Sequence, residues 1–221
     1  MPKSKAEDFD HQKVQRNFTV FRNPRNEMYA GLSDSEIWSE FKQGSEKAYR
    51  YLYDKHVDAL YNYATHLTAN HEAAEECIQD LFVELWCKRH NLGDIQHIRA
   101  YLLKSLRRKL FRQLSQDRKK LSQDPAIDGY AFEAVLSHEQ QLIRHQTALE
   151  HKEKLQEAFN KLPDRQREAL YLRFYNNLSC SEIAQTMDMN SQSVYNLIHR
   201  ALKHLRKILL VVLVLISFLR Q

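Results

Sequence analysis

LPDRQREALYLRFYNNLSCSEIAQTMDMNSQSVYNLIHRALKHLR, residues 162–206, carries three helix signals separated by two tight turns. Pro163 suits the first turn of a helix, where a missing N–H costs nothing. Leu170, Leu172, Phe174 and Tyr175 crowd the end of that helix with apolar surface. Ser179 or Ser181 supplies the cap of a second, short helix carrying Ile183, Ala184 and Met187. Asp188 and Met189 form a corner, and Asn190 is a good N-cap for a third helix. The inward residues of that helix are Val194, Leu197 or Ile198, Ala201, Leu202 and Leu205.

Two short helices across a tight turn make a helix-turn-helix, whose second helix fits a DNA major groove. The outward set is Ser191, Gln192, Ser193, Tyr195, Asn196, His199, Arg200 and Lys203, polar and basic toward its end. The competing reading is an ordinary helical hairpin with a solvated face.

The whole chain agrees with an all-α protein. It has 221 residues with only 4 Gly and 4 Pro, so connections are short and β-turn signals scarce. The net charge of +5 allows a polyanionic partner. The 3 Cys (Cys77, Cys87 and Cys180) form no CxxC pair, which argues against a disulfide framework and a zinc site. They read as buried, reduced thiols of a cytoplasmic protein. The N-terminus lacks an apolar signal core. Ile208 to Leu219 is apolar except for Ser217, but 12 helical residues span about 18 Å against roughly 30 Å of hydrocarbon. That tail is expected to pack on the protein, on a partner or against a membrane surface rather than cross it.

Upstream, Ser33-Asp34-Ser35-Glu36 is a helix start ahead of Ile37, Trp38 and Phe41. Ala48, Tyr49, Leu52, Tyr53, His56, Val57, Leu60, Tyr61 and Ala64 then recur at helical steps. After Asn70-His71, Glu72 opens a helix with Ala73, Ala74, Cys77, Ile78, Leu81, Phe82, Leu85 and Trp86 on one broad stripe. From Glu72 to Glu84 it holds acids and no Lys or Arg. The next helix reverses the sign: Arg99, Lys104, Arg107, Arg108, Lys109 and Arg112 stand beside Tyr101 and Phe111. Cations near phosphates release counterions and add sequence-independent affinity. Opposite signs on successive helices suggest two partners, one basic and one a nucleic acid; plain solvated faces are the alternative. Trp86 reads as core, or as a wall for an unstacked base in the loop His90 to Asp94.

The pattern Glu75 to Trp86 (EECIQDLFVELW), Arg99 to Leu114 (RAYLLKSLRRKLFRQL) and the opening Leu162-Pro163-x-x-x-Arg167 together resemble the sigma-70 family of RNA polymerase sigma factors, extracytoplasmic-function group. The resemblance implies two small helical domains joined by a flexible linker, the second containing the helix-turn-helix. Residues 33–114 would be region 2, 115–139 the linker and 140–208 region 4. A flexible extension over 1–32 and the apolar tail over 209–221 lie outside the likeness.

By resemblance, Glu76, Gln79, Asp80, Leu81, Phe82 and Trp86 dock on the β′ clamp helices of core RNA polymerase. Lys88, Arg89, Arg99, Tyr101, Lys104, Arg107, Arg108 and Arg112 read and melt the −10 element. The outward set from Ser191 to Lys203 reads the −35 element. Promoter DNA, core polymerase (including the β flap) and an anti-sigma factor are the implied partners. Two departures stand out: Asp188 where the family usually has Gly, and Arg108 where Asn is common.

An enzyme is not expected. No metal spacing, Gly-rich phosphate loop or nucleophile elbow occurs, so no catalytic residue, metal or cofactor is predicted. The alternative function is a helix-turn-helix regulator that binds a palindrome as a symmetric dimer. The basic helix of the first domain argues against it.

Overall fold

The computed structural model describes residues 29, 31–120, 132 and 156–219, the side chains of 117–120 and 208–219 excepted. The described residues form seven α-helices of substantial length and no strand. They are α1 (Asp34–Lys42), α2 (Glu46–Leu67), α3 (His71–Lys88), α4 (Ile98–Lys120), α5 (Asp164–Phe174), α6 (Cys180–Thr186) and α7 (Ser191–Leu219). A 3-10 turn, Arg89–Asn91, leaves α3. The expected N-terminal extension and most of the expected linker lie outside the described residues. α4 continues to Lys120, into the stretch read as linker.

Local chemistry sets the helix ends. Ser33 and Glu36 form a reciprocal capping box on α1, and Ser179 and Glu182 do the same on α6. Asn70 caps α3 through the Ala73 N–H, and Asn190 caps α7 through the Ser193 N–H at 2.7 Å. Pro163 itself is the N-cap of α5, one place before the position its ring suits best. Asn177 (φ 55°) and Asp188 (φ 51°) hold the left-handed corners after α5 and α6. Asn and Asp tolerate that region better than other residues with a Cβ.

α1 to α4 pack around Ile37, Trp38, Phe41, Leu60, Phe82, Leu102, Leu103 and Leu106, all essentially inaccessible. α5, α6 and α7 pack around Leu172, Ile183, Val194 and Ala201. The two groups also touch each other, with α4 against α6. Tyr63 of α2 stacks on Tyr171 of α5, and Phe132 is buried against both and His66.

Two expectations change. Leu202 faces solvent at 43% exposure, because Ile198 and Ala201 already fill the inward arc of α7. Cys87 is exposed at the end of α3, whereas Cys77 is buried and Cys180 half-buried. The backbone of the apolar tail continues α7 to Leu219. Among the described residues no helix is long and apolar enough to cross a membrane.

His56 is 2% exposed, and neither ring nitrogen has a hydrogen-bond partner among the described residues. Burial pushes its pKa down to about 4, helped by the Arg99 and Lys55 cations and opposed by Asp34. The folded state therefore keeps this ring neutral where the unfolded chain already protonates it. Stability is complete above the unfolded value and is lost as pH falls through the window from 6.5 to about 4. Denaturant melts should show this residue removing about 2 kcal/mol between about pH 7 and about pH 5. His56→Gln should flatten that part of the acid dependence; an unchanged slope would show that the ring is not held neutral.

Candidate nucleic-acid interface

The acidic helix and the basic helix are partners before they are surfaces. α3 and α4 pack side by side, and Lys109 Nζ donates to Glu84 at 2.8 Å and Asp80 at 3.4 Å. Gln113 donates to Glu76 at 3.4 Å. The hydrogen bond from Lys109 holds the Glu84 carboxyl below its ordinary pKa. One part of the sign reversal between these helices is thus internal pairing, not a pair of free faces. Lys109 is nearly covered, at 11% side-chain exposure, so it is not available to a phosphate.

Of the six residues expected on the polymerase-docking surface, Glu76, Gln79 and Asp80 are exposed and form one outward patch on α3. Leu81 and Phe82 are not on it. Both are buried, and Phe82 stands edge-on to Tyr53 and Tyr49. They sit on the stripe that attaches α3 to α2, because the helical period turns them inward. Trp86 is half-buried against Phe41 and Tyr49 and carries the Arg89 guanidinium over its ring at 4.3 Å.

The loop between α3 and α4 is held from α1. Trp38 Nε1 donates to the Gly93 carbonyl at 2.9 Å, and Lys42 Nζ meets Asp94 at 2.7 Å. Asp34 Oδ2 accepts from the Ile98 N–H at 2.9 Å, which caps the start of α4 from another helix. Local sequence pattern puts Asp34 and Trp38 in α1 and gives them no part in this loop. The only local signal was the absence of a capping side chain just before Ile98.

The eight residues expected to read the −10 element divide sharply. Arg112 and Lys88 are exposed. Tyr101 is edge-on to Trp38, and burial raises its hydroxyl pKa. Arg89 is folded back, donating to the Trp86 carbonyl at 2.6 Å. Arg99, Lys104, Arg107 and Arg108 all point at the C-terminal group. Arg99 donates to the Asn176 carbonyl at 3.2 Å. Arg107 Nε donates to Glu168 at 2.8 Å, and Tyr63 donates a short hydrogen bond to the same carboxylate. Glu168 is fully buried. Arg108 makes a two-pronged contact with Asp188 at 3.0 and 3.4 Å, and Lys104 reaches it at 3.4 Å. The Arg108 hydrogen bond holds the Asp188 carboxyl below its ordinary pKa. Nothing in the sequence marked Glu168 as buried or Asp188 as an acceptor; both roles need the other helical group.

The outward set on α7 is brought together as expected. Ser191, Gln192, Tyr195, Asn196, His199, Arg200 and Lys203 are exposed and Ser193 is half-buried. Tyr195 and His199 stack with ring centroids 6.3 Å apart, and Gln192 donates to Asn196 at 3.3 Å. The opposite side of α7 is in the core through Val194, Ile198 and Ala201. No group of three or more metal-ligating side chains occurs among the described residues.

Residues 52–120 match the family Sigma-70 region 2, and residues 152–205 match Sigma-70, region 4. The extracytoplasmic-function RNA polymerase sigma factor SigM of Bacillus subtilis (strain 168) is 22% identical over 155 residues, 70% of this chain and 91% of SigM. This chain belongs to the sigma-70 family.

As a sigma factor it is a DNA-binding protein of transcription initiation. Two solved relatives share its fold. CnrH, in complex with the cytosolic domain of CnrY, has a TM-score of 0.53 and 18% identity over 80% of this sigma factor and 96% of that chain. RpoE of Bartonella quintana, in complex with the anti-sigma factor NepR, has a TM-score of 0.53 and 20% identity over 77% and 97%.

Proposed function

We propose that this sigma factor binds core RNA polymerase through the exposed patch Glu76, Gln79 and Asp80. It then places two DNA readers on one promoter. The α7 face from Ser191 to Lys203 takes the duplex at the −35 element. The cations of α4 and the α3–α4 loop take the −10 element as it melts. The two readers correspond to domains over residues 33–114 and 140–208. One observation carries the reading best: α7 buries one side in the C-terminal core and leaves Tyr195, Asn196, His199, Arg200 and Lys203 together in solvent. A helix of that form presents its polar edge to a groove, and Arg and Asn pair with base edges there.

The anti-sigma factor NepR bound to RpoE of Bartonella quintana supports an anti-sigma antagonist for this protein as well, and we assign the protein to the cytoplasm. The apolar C-terminal tail is assigned to a contact with a partner or a membrane surface.

Run-off transcription with core polymerase tests the reading. Promoter-specific transcripts should require this protein, and Arg200→Ala should lower initiation at −35 dependent promoters about tenfold or more. No transcript across a panel of promoters would refute the sigma assignment. Equal activity of the Arg200 variant would move the −35 reader off this face.

A further inference from the structure

Charge is unevenly spread along α7. From Ser191 to His199 there is no Lys, Arg, Asp or Glu. Arg200 stands at the boundary, and Lys203, Arg206 and Lys207 follow it, all exposed. The first residues of a groove-binding helix lie nearest the base edges. Cations at its later end hold phosphates and add affinity without sequence information. The first bases that α7 meets are therefore left to neutral side chains.

Two pairs of those side chains are tied together. Gln192 Nε2 donates to Asn196 Oδ1 at 3.3 Å, one turn along the same face. Tyr195 is 58% exposed, and its ring lies nearly parallel to that of His199, with centroids 6.3 Å apart. Val194 and Ile198 fill the core behind both pairs, so neither pair can turn inward. The four side chains occupy two turns, about 10 Å of axis. That length matches about three base pairs at about 3.4 Å each.

A carboxamide offers one donor and one acceptor. In the major groove adenine alone presents the matching set on one base, the N7 acceptor and the N6 amino donor. Guanine presents two acceptors, which suit the parallel donors of an arginine. The Gln192 hydrogen bond uses one lone pair of Asn196 Oδ1 and leaves the other, with the Nδ2 donors, for a base. It also restrains the Asn196 side chain, so less freedom is lost on contact. Tyr195 supplies apolar ring surface of the kind that covers the C5-methyl group of thymine, which cytosine lacks.

We propose that α7 selects A·T pairs at the start of its contact with the −35 element. Asn196, steadied by Gln192, takes an adenine, and Tyr195, backed by His199, covers a thymine methyl group. The inference rests on the assignment of α7 to the −35 element and adds the bases that this face prefers. Asn196 and Tyr195 touch the DNA; Gln192 and His199 are positioning residues.

The test uses the full chain with core RNA polymerase. The holoenzyme is offered promoter duplexes randomised over the −35 element, and the bound fraction is sequenced. Wild type should enrich adenine over guanine about tenfold at one position. Asn196→Ala should flatten that position alone, and Asn196→Arg should move its preference to guanine. Asn196 is exposed, and unchanged enrichment at the other positions shows that each variant is folded.

Two altered bases then remove single groups from the selected duplex. 7-Deazaadenine lacks only the N7 acceptor and should weaken wild type about fivefold, with no effect on Asn196→Ala. Uracil lacks only the thymine methyl group and should weaken wild type about threefold, with no effect on Tyr195→Ala. Gln192→Ala and His199→Ala should show preferences between those of wild type and of the direct variants. Guanine or cytosine selected at the position that Asn196→Ala flattens would overturn the adenine contact. So would Asn196 variants that select the same bases as wild type. A uracil penalty that persists in Tyr195→Ala would overturn the methyl contact. No enriched −35 position, with run-off transcripts still dependent on this protein, would remove α7 as the −35 reader and the inference with it, leaving the sigma assignment in place.

Discussion

Asp80→Arg is expected to weaken binding to core RNA polymerase by about two orders of magnitude, the cost of placing a like charge against a complementary surface. The expectation follows from where Asp80 sits. Its side chain is 64% exposed on α3, beside Glu76 and Gln79, and its internal partner Lys109 is shared with Glu84. Reversing the charge leaves Lys109 with the shorter of its two contacts, the 2.8 Å pair with Glu84. The fold should therefore change by no more than about 1 kcal/mol, as exposed pairs do. Co-migration with core polymerase in gel filtration, with a denaturant melt of the free variant, separates the two effects. Undiminished binding would remove Asp80 from the docking surface. Substitutions at Leu81 or Phe82 cannot serve as the same test, because those side chains are buried and report on packing.

Trp38→Ala should destabilise the free protein by about 3–5 kcal/mol, in the range of large aromatic truncations in cores. Trp38 is 1% exposed and packs against Phe41 and Tyr101 at ring distances of 5.1 and 5.3 Å. Its loss opens a cavity between α1 and α4 and also removes the donor that holds the Gly93 carbonyl. Against a total stability of about 5–15 kcal/mol for a typical domain, that is a large fraction. Trp38→Phe distinguishes the two contributions. It keeps one aromatic ring in the core and removes the indole N–H with the remainder of the five-membered ring, so its cost should be about 1–2 kcal/mol. A cost for Trp38→Phe equal to that of Trp38→Ala would show that the Gly93 contact, not the core, dominates. The same pair of variants tells whether a loosened α3–α4 loop impairs promoter opening at a temperature where both remain folded.

Much of this molecule follows from local pattern. Ser33 with Glu36 and Asn190 with Ser193 read as helix starts because a capping side chain acts within one turn. The stripe from Ala74 to Leu85 reads as a buried face because 3.6 residues per turn put those positions on one side. The helix-turn-helix and the polar set on α7 are legible for the same reason: every contact that defines them lies within a few turns of chain. The same local logic went astray at Leu202, where two neighbours had already filled the core; at Leu81 and Phe82 helical phase says core, as the structure has them, while their motif position puts them on the docking surface.

What no local pattern discloses is contact between elements far apart in the chain. Asp34 caps a helix that begins at Ile98, Trp38 holds the carbonyl of Gly93, and Tyr63 and Arg107 converge on Glu168. Sequence by itself determined an all-helical chain, several of its caps, a helix-turn-helix and the sign of the charge on each face. Tertiary structure alone decided which charges are free. A cation's chemistry is local, but its availability depends on what packs over it, and here that is a helix some 60 to 80 residues away in sequence.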